Sequence, residues 1–144
     1  MIKKRKILIV IADYYSGISN SLLHSVKKTL IKSFKLQVIT VPGVFEIPVI
    51  ISKNIKKFDA FIALGCVIKG ETPHFDFISK ASIEAIMNLS VENKKPIGNG
   101  IITCLNMKQA IVRKNNKGKE AANVVNFLLD ELELDEENML VDFE

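Results

Sequence analysis

Residues 6–11 read KILIVI, one lysine followed by five aliphatic side chains without a break. A half-exposed strand alternates apolar and polar residues, whereas a short unbroken run suits a strand covered on both faces. Residues 36–41, 58–68 and 96–104 read the same way, and the third run is expected to leave its strand for a loop at Gly65. Four such runs point to a parallel sheet, because parallel strands are the ones that helices bury from both sides.

The intervals carry the helices. Ile18, Leu22, Leu23, Val26, Leu30, Ile31 and Phe34 are spaced as one apolar face of a helix. Pro48 opens a shorter helix toward Lys53. Phe75, Ile78, Ala81, Ala85, Ile86 and Leu89 mark another, and Ala121, Val124, Val125, Leu128 and Leu132 mark a C-terminal one, with a short helix over 107–113 before it. Strand–helix alternation of this kind gives right-handed crossovers with helices on both faces of the sheet. The expectation is one α/β domain over residues 1–144, a three-layer α/β/α sandwich of flavodoxin-like type around a mainly parallel four-stranded sheet. Ligands of such sheets sit outside the carboxyl ends of the strands. The loops after Ile11, Val41, Val67 and Cys104 are therefore the ones to inspect.

Composition agrees with a folded domain. A chain of 144 residues buries roughly two-thirds of its unfolded surface. With 48% hydrophobic and 25% charged residues, disorder, collagen and coiled coil are excluded. The net charge of +4 comes from 20 basic and 16 acidic residues, and the one basic cluster is Lys3-Lys4-Arg5-Lys6. That cluster reads as a solvated tail before a strand, since a nucleic-acid binder carries a denser basic stripe with aromatics interleaved. Cys66 and Cys104 are too few, and too far apart in the chain, for a disulfide framework or a cysteine metal site. Both lie in apolar runs, where a thiol behaves as a small hydrophobe. Asp13 interrupts the first apolar run before it reaches the length of a secretory signal. No run approaches the ~18 residues of a membrane span. A cytoplasmic protein without nucleic-acid or membrane partners is expected.

The most informative strand end is GCVIKGETPHFDF, residues 65–77. Thr72 suits an N-cap, Pro73 the first helical position and Asp76 the first turn. The free N–H groups of such a helix can hold an anion. There His74 meets the positive helix end, which favours a neutral imidazole able to take up and return a proton. The alternative is an exposed histidine that merely ends a turn, as His24 is expected to be within its helix. In VPGVFEIP, residues 41–48, Phe45 and Glu46 follow a constrained turn, and Glu46 either accepts hydrogen bonds from ligand hydroxyls or caps the next helix. Tyr14 and Tyr15 offer a stacking surface for a flat ring, while Ser16 and Ser19 either cap a helix or hold a phosphate. Arg113 is either a solvated charge or a phosphate fork. There is no Walker loop, G-x-G-x-x-G, HExxH or G-x-S-x-G. Asp59 precedes its strand instead of following it, so a response-regulator reading fails.

On these motifs, together with GNGIIT at 98–103 and NKGKEAA at 116–122, the chain resembles the 6,7-dimethyl-8-ribityllumazine synthases of riboflavin biosynthesis over residues 7–129. The resemblance implies condensation of 5-amino-6-(D-ribitylamino)uracil with 3,4-dihydroxy-2-butanone 4-phosphate, releasing phosphate and water, without metal or other cofactor. It implies that His74 transfers protons, that Arg113 binds phosphate beside Glu71 and Thr72, and that Tyr14 stacks on the pyrimidine. Val44, Phe45 and Glu46 then hold the ribityl chain, Cys66, Val67 and Ile68 meet the ring edge, and Asn99 reaches the site from a neighbouring subunit. A homopentamer, or a multiple of one, is implied.

The chain departs from many members at three of these places. Tyr15 replaces asparagine, Asn99 an aromatic, and Cys66 a threonine. Only Lys114 and Asn115 separate Arg113 from Asn116-Lys117-Gly118, so Lys114 or Lys117 is left to assist the phosphate. An extra N-terminal strand lent to a neighbour is not expected. The alternative function is a flavin- or lumazine-binding module without catalysis, which has no need of His74 and Arg113.

Overall fold

The computed structural model describes the backbone of residues 4–142 and the side chains of residues 4–132. Four strands, β1 (Lys6–Ala12), β2 (Lys35–Val41), β3 (Ala60–Ile68) and β4 (Ile97–Cys104), form one sheet in the order β2-β1-β3-β4. All three pairings are parallel, with Ile9 opposite both Val38 and Ile62, and Ile62 opposite Gly98. The helices are α1 (Ser16–Thr29), α2 (Ile47–Lys53), α3 (His74–Asn93) and α4 (Met107–Asp142), and a 3-10 turn at Val44–Glu46 leads into α2.

The unbroken apolar runs of β1, β3 and β4 are explained by two cores, one on each face of the sheet, whereas β2, expected to be covered likewise, is an edge strand exposed or half-exposed up to Thr40 and buried only at Val41. Ile7, Ile9 and Ile11 pack with Ile18, Leu22 and Val26 of α1 and with Ala121, Ala122 and Val125 of α4. Leu8, Val10 and Ala12 pack with Val44, Ile47 and Ile51 and with Ile86 of α3. Fully burying each large aliphatic side chain contributes about 1.5–3 kcal/mol. No described helix is long and apolar enough to cross a membrane.

Several expected boundaries move. The third strand does not leave for a loop at Gly65 but continues to Ile68. Gly65 serves packing there, since a Cβ on it would lie 2.7 Å from Val44 Cγ2 and 3.2 Å from Ala12 Cβ. The first helix stops at Thr29, before the last apolar positions of its face. Asn126 of α4 explains the stop, because its Nδ2 donates to the Thr29 carbonyl (3.2 Å) and its Oδ1 accepts from the Ile31 N–H (3.4 Å). The third helix begins at His74 with Pro73 as its cap, one residue later than expected, and runs on to Asn93, where Lys94 turns left-handed at φ 53°.

The expected pair of C-terminal helices is one helix, so Arg113 lies within it and not at its end. The Asn-Lys-Gly stretch stays helical because α1 packs directly on it. Ser25 Oγ donates to the Asn115 carbonyl at 2.7 Å, and a Cβ on Gly118 would lie 2.7 Å from the Leu22 carbonyl oxygen and 3.0 Å from Ser25 Cβ. Glycine here lets two backbones approach, where the sequence reads as a loop signal.

That geometry reverses the ordinary preference of helices for alanine. Gly118→Ala would gain up to about 1 kcal/mol in an exposed helix, but here it must push α1 away from α4. We expect a net loss of about 1–3 kcal/mol, measured as a lower urea midpoint with an unchanged slope. A raised midpoint would show that the contact is not tight.

Candidate active site

Because all four strands run the same way, their carboxyl ends open on one edge of the sheet. The loop after β1 carries Tyr14 and Tyr15, the turn after β2 carries Gly43 to Glu46, and β3 ends in Cys66, Val67 and Ile68. These meet the first turn of α3 around a cavity of about 270 Å³ lined by Tyr14, Tyr15, Val44, Cys66, Val67 and His74, with Gly43, Ile68 and Ile78. A second basin of about 530 Å³ adjoins it and is lined by Phe45, Glu46, Phe77 and Ala81, sharing Gly43, Val44, His74 and Ile78 with the first. His74 therefore stands where the two basins meet.

Local sequence positions each wall. The Asp13 N–H donates to the Val41 carbonyl at 3.1 Å, tying the loop after β1 to the end of β2. Gly43 leaves room for the Glu46 carboxylate, since a Cβ there would lie 3.2 Å from Glu46 Oε1. Glu46 makes no side-chain bond to the start of α2, so the capping alternative does not describe it. The His74 N–H reaches the Thr72 hydroxyl at 3.4 Å, the outer limit of a hydrogen bond. The sequence assigns Ile78 and Ala81 only to the helix's apolar face and gives Phe77 no role, yet all three lie three, four or seven residues after His74 and so share its helix face.

Four expected site residues do not line these basins: Glu71, Thr72, Asn99 and Arg113. Glu71 and Thr72 are exposed on the loop before α3. Asn99 lies mid-strand on the sheet-edge strand β4, where its Oδ1 accepts from the Ile101 N–H at 3.0 Å. Arg113 is exposed on α4, with Nη1 3.4 Å from the Thr103 carbonyl. A larger cleft of about 620 Å³ opens at the amino ends of β1 and β2, lined by Lys6, Lys35, Leu36, Gln37, Asn54, Lys57 and Phe58. Its charged groups are three lysines, without the imidazole and carboxylate found at the opposite end. Among the described residues no group of three or more His, Cys, Asp or Glu is placed to hold a metal ion.

Pairing of β3 with β4 brings together the two cysteines that are remote in sequence. Burial first, and then the charge and hydrogen bond of the neighbouring Cys104, together push the Cys66 thiol up to about 12. Cys66 thus faces the cavity as a neutral thiol, not as a nucleophile. The phenol of Tyr15 is likewise raised, first by burial and then by Tyr14, Cys66 and Cys104.

A single α/β domain with a four-stranded all-parallel sheet flanked by helices, gathering Tyr14, Tyr15, Glu46 and His74 at its carboxyl edge, is a three-layer sandwich of flavodoxin-like type. The family model for 6,7-dimethyl-8-ribityllumazine synthase matches residues 4–132. The chain is 45% identical over 129 residues to a 6,7-dimethyl-8-ribityllumazine synthase of Bartonella henselae, covering 83% of each chain. It is 43% identical over 129 residues to 6,7-dimethyl-8-ribityllumazine synthase 1 of Rhodopseudomonas palustris, covering 81% of this chain and 79% of that one. A relative of the same name from Methylorubrum extorquens strain PA1 is 40% identical over 136 residues, covering 86% and 79%. The chain belongs to the 6,7-dimethyl-8-ribityllumazine synthase family, transferases of riboflavin biosynthesis.

The raised Cys66 thiol has a measurable sign. Above the ordinary thiol value near 9 the unfolded chain loses this proton, while the native chain keeps it up to about 12. The unfolded state then binds fewer protons, so stability falls as pH rises through that window. We expect wild-type stability to decline more steeply than that of Cys66→Ala from pH 9 upward, measured by urea unfolding. Parallel declines would contradict the shift.

Proposed function

We propose that this chain condenses 5-amino-6-(D-ribitylamino)uracil with 3,4-dihydroxy-2-butanone 4-phosphate to 6,7-dimethyl-8-ribityllumazine, with release of phosphate and water, at the carboxyl edge of its sheet. The observation that carries this reading is the position of His74, shared by a ring-sized basin bearing Tyr14 and a neighbouring basin bearing Phe45 and Glu46. Tyr14 stacks on the pyrimidine, with Cys66, Val67 and Ile68 along the ring edge. Val44 and Phe45 flank the ribityl chain, and the Glu46 carboxylate accepts hydrogen bonds from its hydroxyls.

The chemistry comprises imine formation, elimination of phosphate and ring closure. Each step moves protons and none demands a strong nucleophile. His74 takes up and returns those protons. Holding two substrates in one cleft supplies much of the acceleration, since effective molarities can offset about 7–11 kcal/mol of barrier in well-oriented cases. Mere storage of a ligand needs no such proton-transfer group, and the family's relatives named as synthases favour the enzyme over a binding module.

Arg113 takes the phosphate with its planar fork, beside Glu71 and Thr72, and Lys114 or Lys117 adds charge. Asn99 and Arg113 line neither basin of their own chain. In this reading they complete the site of an adjacent subunit in a cytoplasmic homopentamer of single-domain chains. A head-to-tail interface closing into a ring makes every site from two copies. Exposed Val112, Ile111 and Phe127 on α4 provide apolar surface for such an interface.

The direct test mixes purified protein with both substrates and follows the lumazine chromophore; no acceleration over the protein-free mixture would refute the assignment. His74→Ala should lower kcat, toward the about 10²-fold lower end of general acid–base effects because solvent can shuttle protons, with both KM values nearly unchanged. An unaltered kcat across neutral pH would remove His74 from proton transfer.

Shared sites make a second prediction. Co-expressed His74→Ala and Arg113→Ala chains should regain activity that neither has alone, because about a quarter of randomly paired head-to-tail interfaces unite two intact halves. Activity no higher than the average of the separate variants would place both residues in one subunit's site.

A further inference from the structure

The loop that presents Tyr14 is fixed through its backbone and not through that side chain. The buried Ser19 hydroxyl donates to the Ala12 carbonyl, and the Ser19 N–H donates to the Tyr15 carbonyl at 3.0 Å. The Tyr14 side chain itself is 76% exposed. One contact orders it from the side: the Tyr15 ring, with centroids 4.9 Å apart and planes at 80°. Edge-to-face pairs at this separation are attractive through their quadrupoles. Tyr15 in turn is half-buried and packs against the core cluster that contains Cys66 and Cys104. Its phenol is raised, first by burial and then by Tyr14, Cys66 and Cys104.

We propose that Tyr15 is a positioning residue for the pyrimidine substrate, its core-anchored ring bracing Tyr14 edge-to-face so that the stacking face is already set when the ring arrives. This rests on the assignment of the 270 Å³ cavity to the pyrimidine. A loosely held aromatic must lose side-chain freedom as it stacks, and that loss subtracts from affinity. A ring wedged between the core and Tyr14 has removed the freedom beforehand. The brace acts on one substrate only, since the phosphate arm lies elsewhere.

The chain has two tyrosines and no tryptophan, so fluorescence excited to the red of the absorption of its eight phenylalanines arises from this pair. Quenching on titration with 5-amino-6-(D-ribitylamino)uracil alone therefore reports pyrimidine binding, independently of turnover. Tyr15→Leu, and Tyr15→Met as a second non-aromatic filling of the same space, should weaken that binding and raise the pyrimidine KM by about two- to tenfold. The KM for the butanone phosphate should stay within error, and Tyr15→Phe should restore most of the lost affinity.

In a Tyr14→Leu background, followed by calorimetry, Tyr15→Leu should cost nothing further, because there is then no ring to brace. Equal losses toward both substrates, an unchanged pyrimidine KM, or a Tyr15→Phe as weak as Tyr15→Leu would each overturn the brace. Turnover by the wild-type protein with any of those outcomes leaves the reaction assignment standing. A wild-type protein with neither quenching nor turnover removes both.

Discussion

β1 and β3 lie side by side, and Ile7–Ala12 and the first seven residues of β3 are withdrawn from water on both faces. That double burial is the constraint on which the remaining structure depends. A strand covered on both sides cannot carry polar side chains without partners, which is why its sequence is an unbroken apolar run. It also needs helices above and below, and helices returning the chain to the same end make every strand parallel. Parallel strands then deliver three loops and a helix start to one edge, where Tyr14, Tyr15, Glu46 and His74 gather. The position of the candidate site is thus a consequence of how the sheet is buried.

The covering helices come so close that side chains had to be removed. A Cβ on Gly98 would lie 2.4 Å from the Ala121 carbonyl oxygen of α4, and one on Gly100 would lie 2.4 Å from Leu64 Cδ2. With Gly118 against the Leu22 carbonyl of α1 and Gly65 against the Val44 side chain, four glycines mark places where a neighbouring element occupies the space of a side chain. These contacts hold the layers in a single arrangement, so that the loops at the site's edge are referred to a rigid frame.

Cys66 illustrates how the same frame sets the electrostatics of the site. Its thiol is buried at the end of β3 beside Cys104 of β4, so it is held protonated. Tyr15 is kept neutral by the same enclosure. One wall of the 270 Å³ cavity therefore offers weakly polar, uncharged groups, with His74 at its junction with the basin that Glu46 lines.

The amino-acid sequence by itself determined the elements and their layering, because hydrophobic periodicity is local: KILIVI, the helix face from Ile18, and the Pro-rich turn at 41–48 each declare themselves within a few residues. It also placed Tyr14, Val44 and His74 at strand ends, where a parallel sheet must bring them together. What it could not decide were the points where one element acts on another. Gly118 reads as a helix breaker until α1 is seen against it, and Gly65 reads as a loop until Val44 fills the space a side chain would take. The first helix continues on paper to Phe34, and only the Asn126 amide from α4 ends it at Thr29. Cys66 and Cys104 are distant in the chain and adjacent in space because β3 and β4 pair. Each of these depends on a backbone atom or side chain supplied from far along the sequence, so the deciding interaction exists only once the chain has folded.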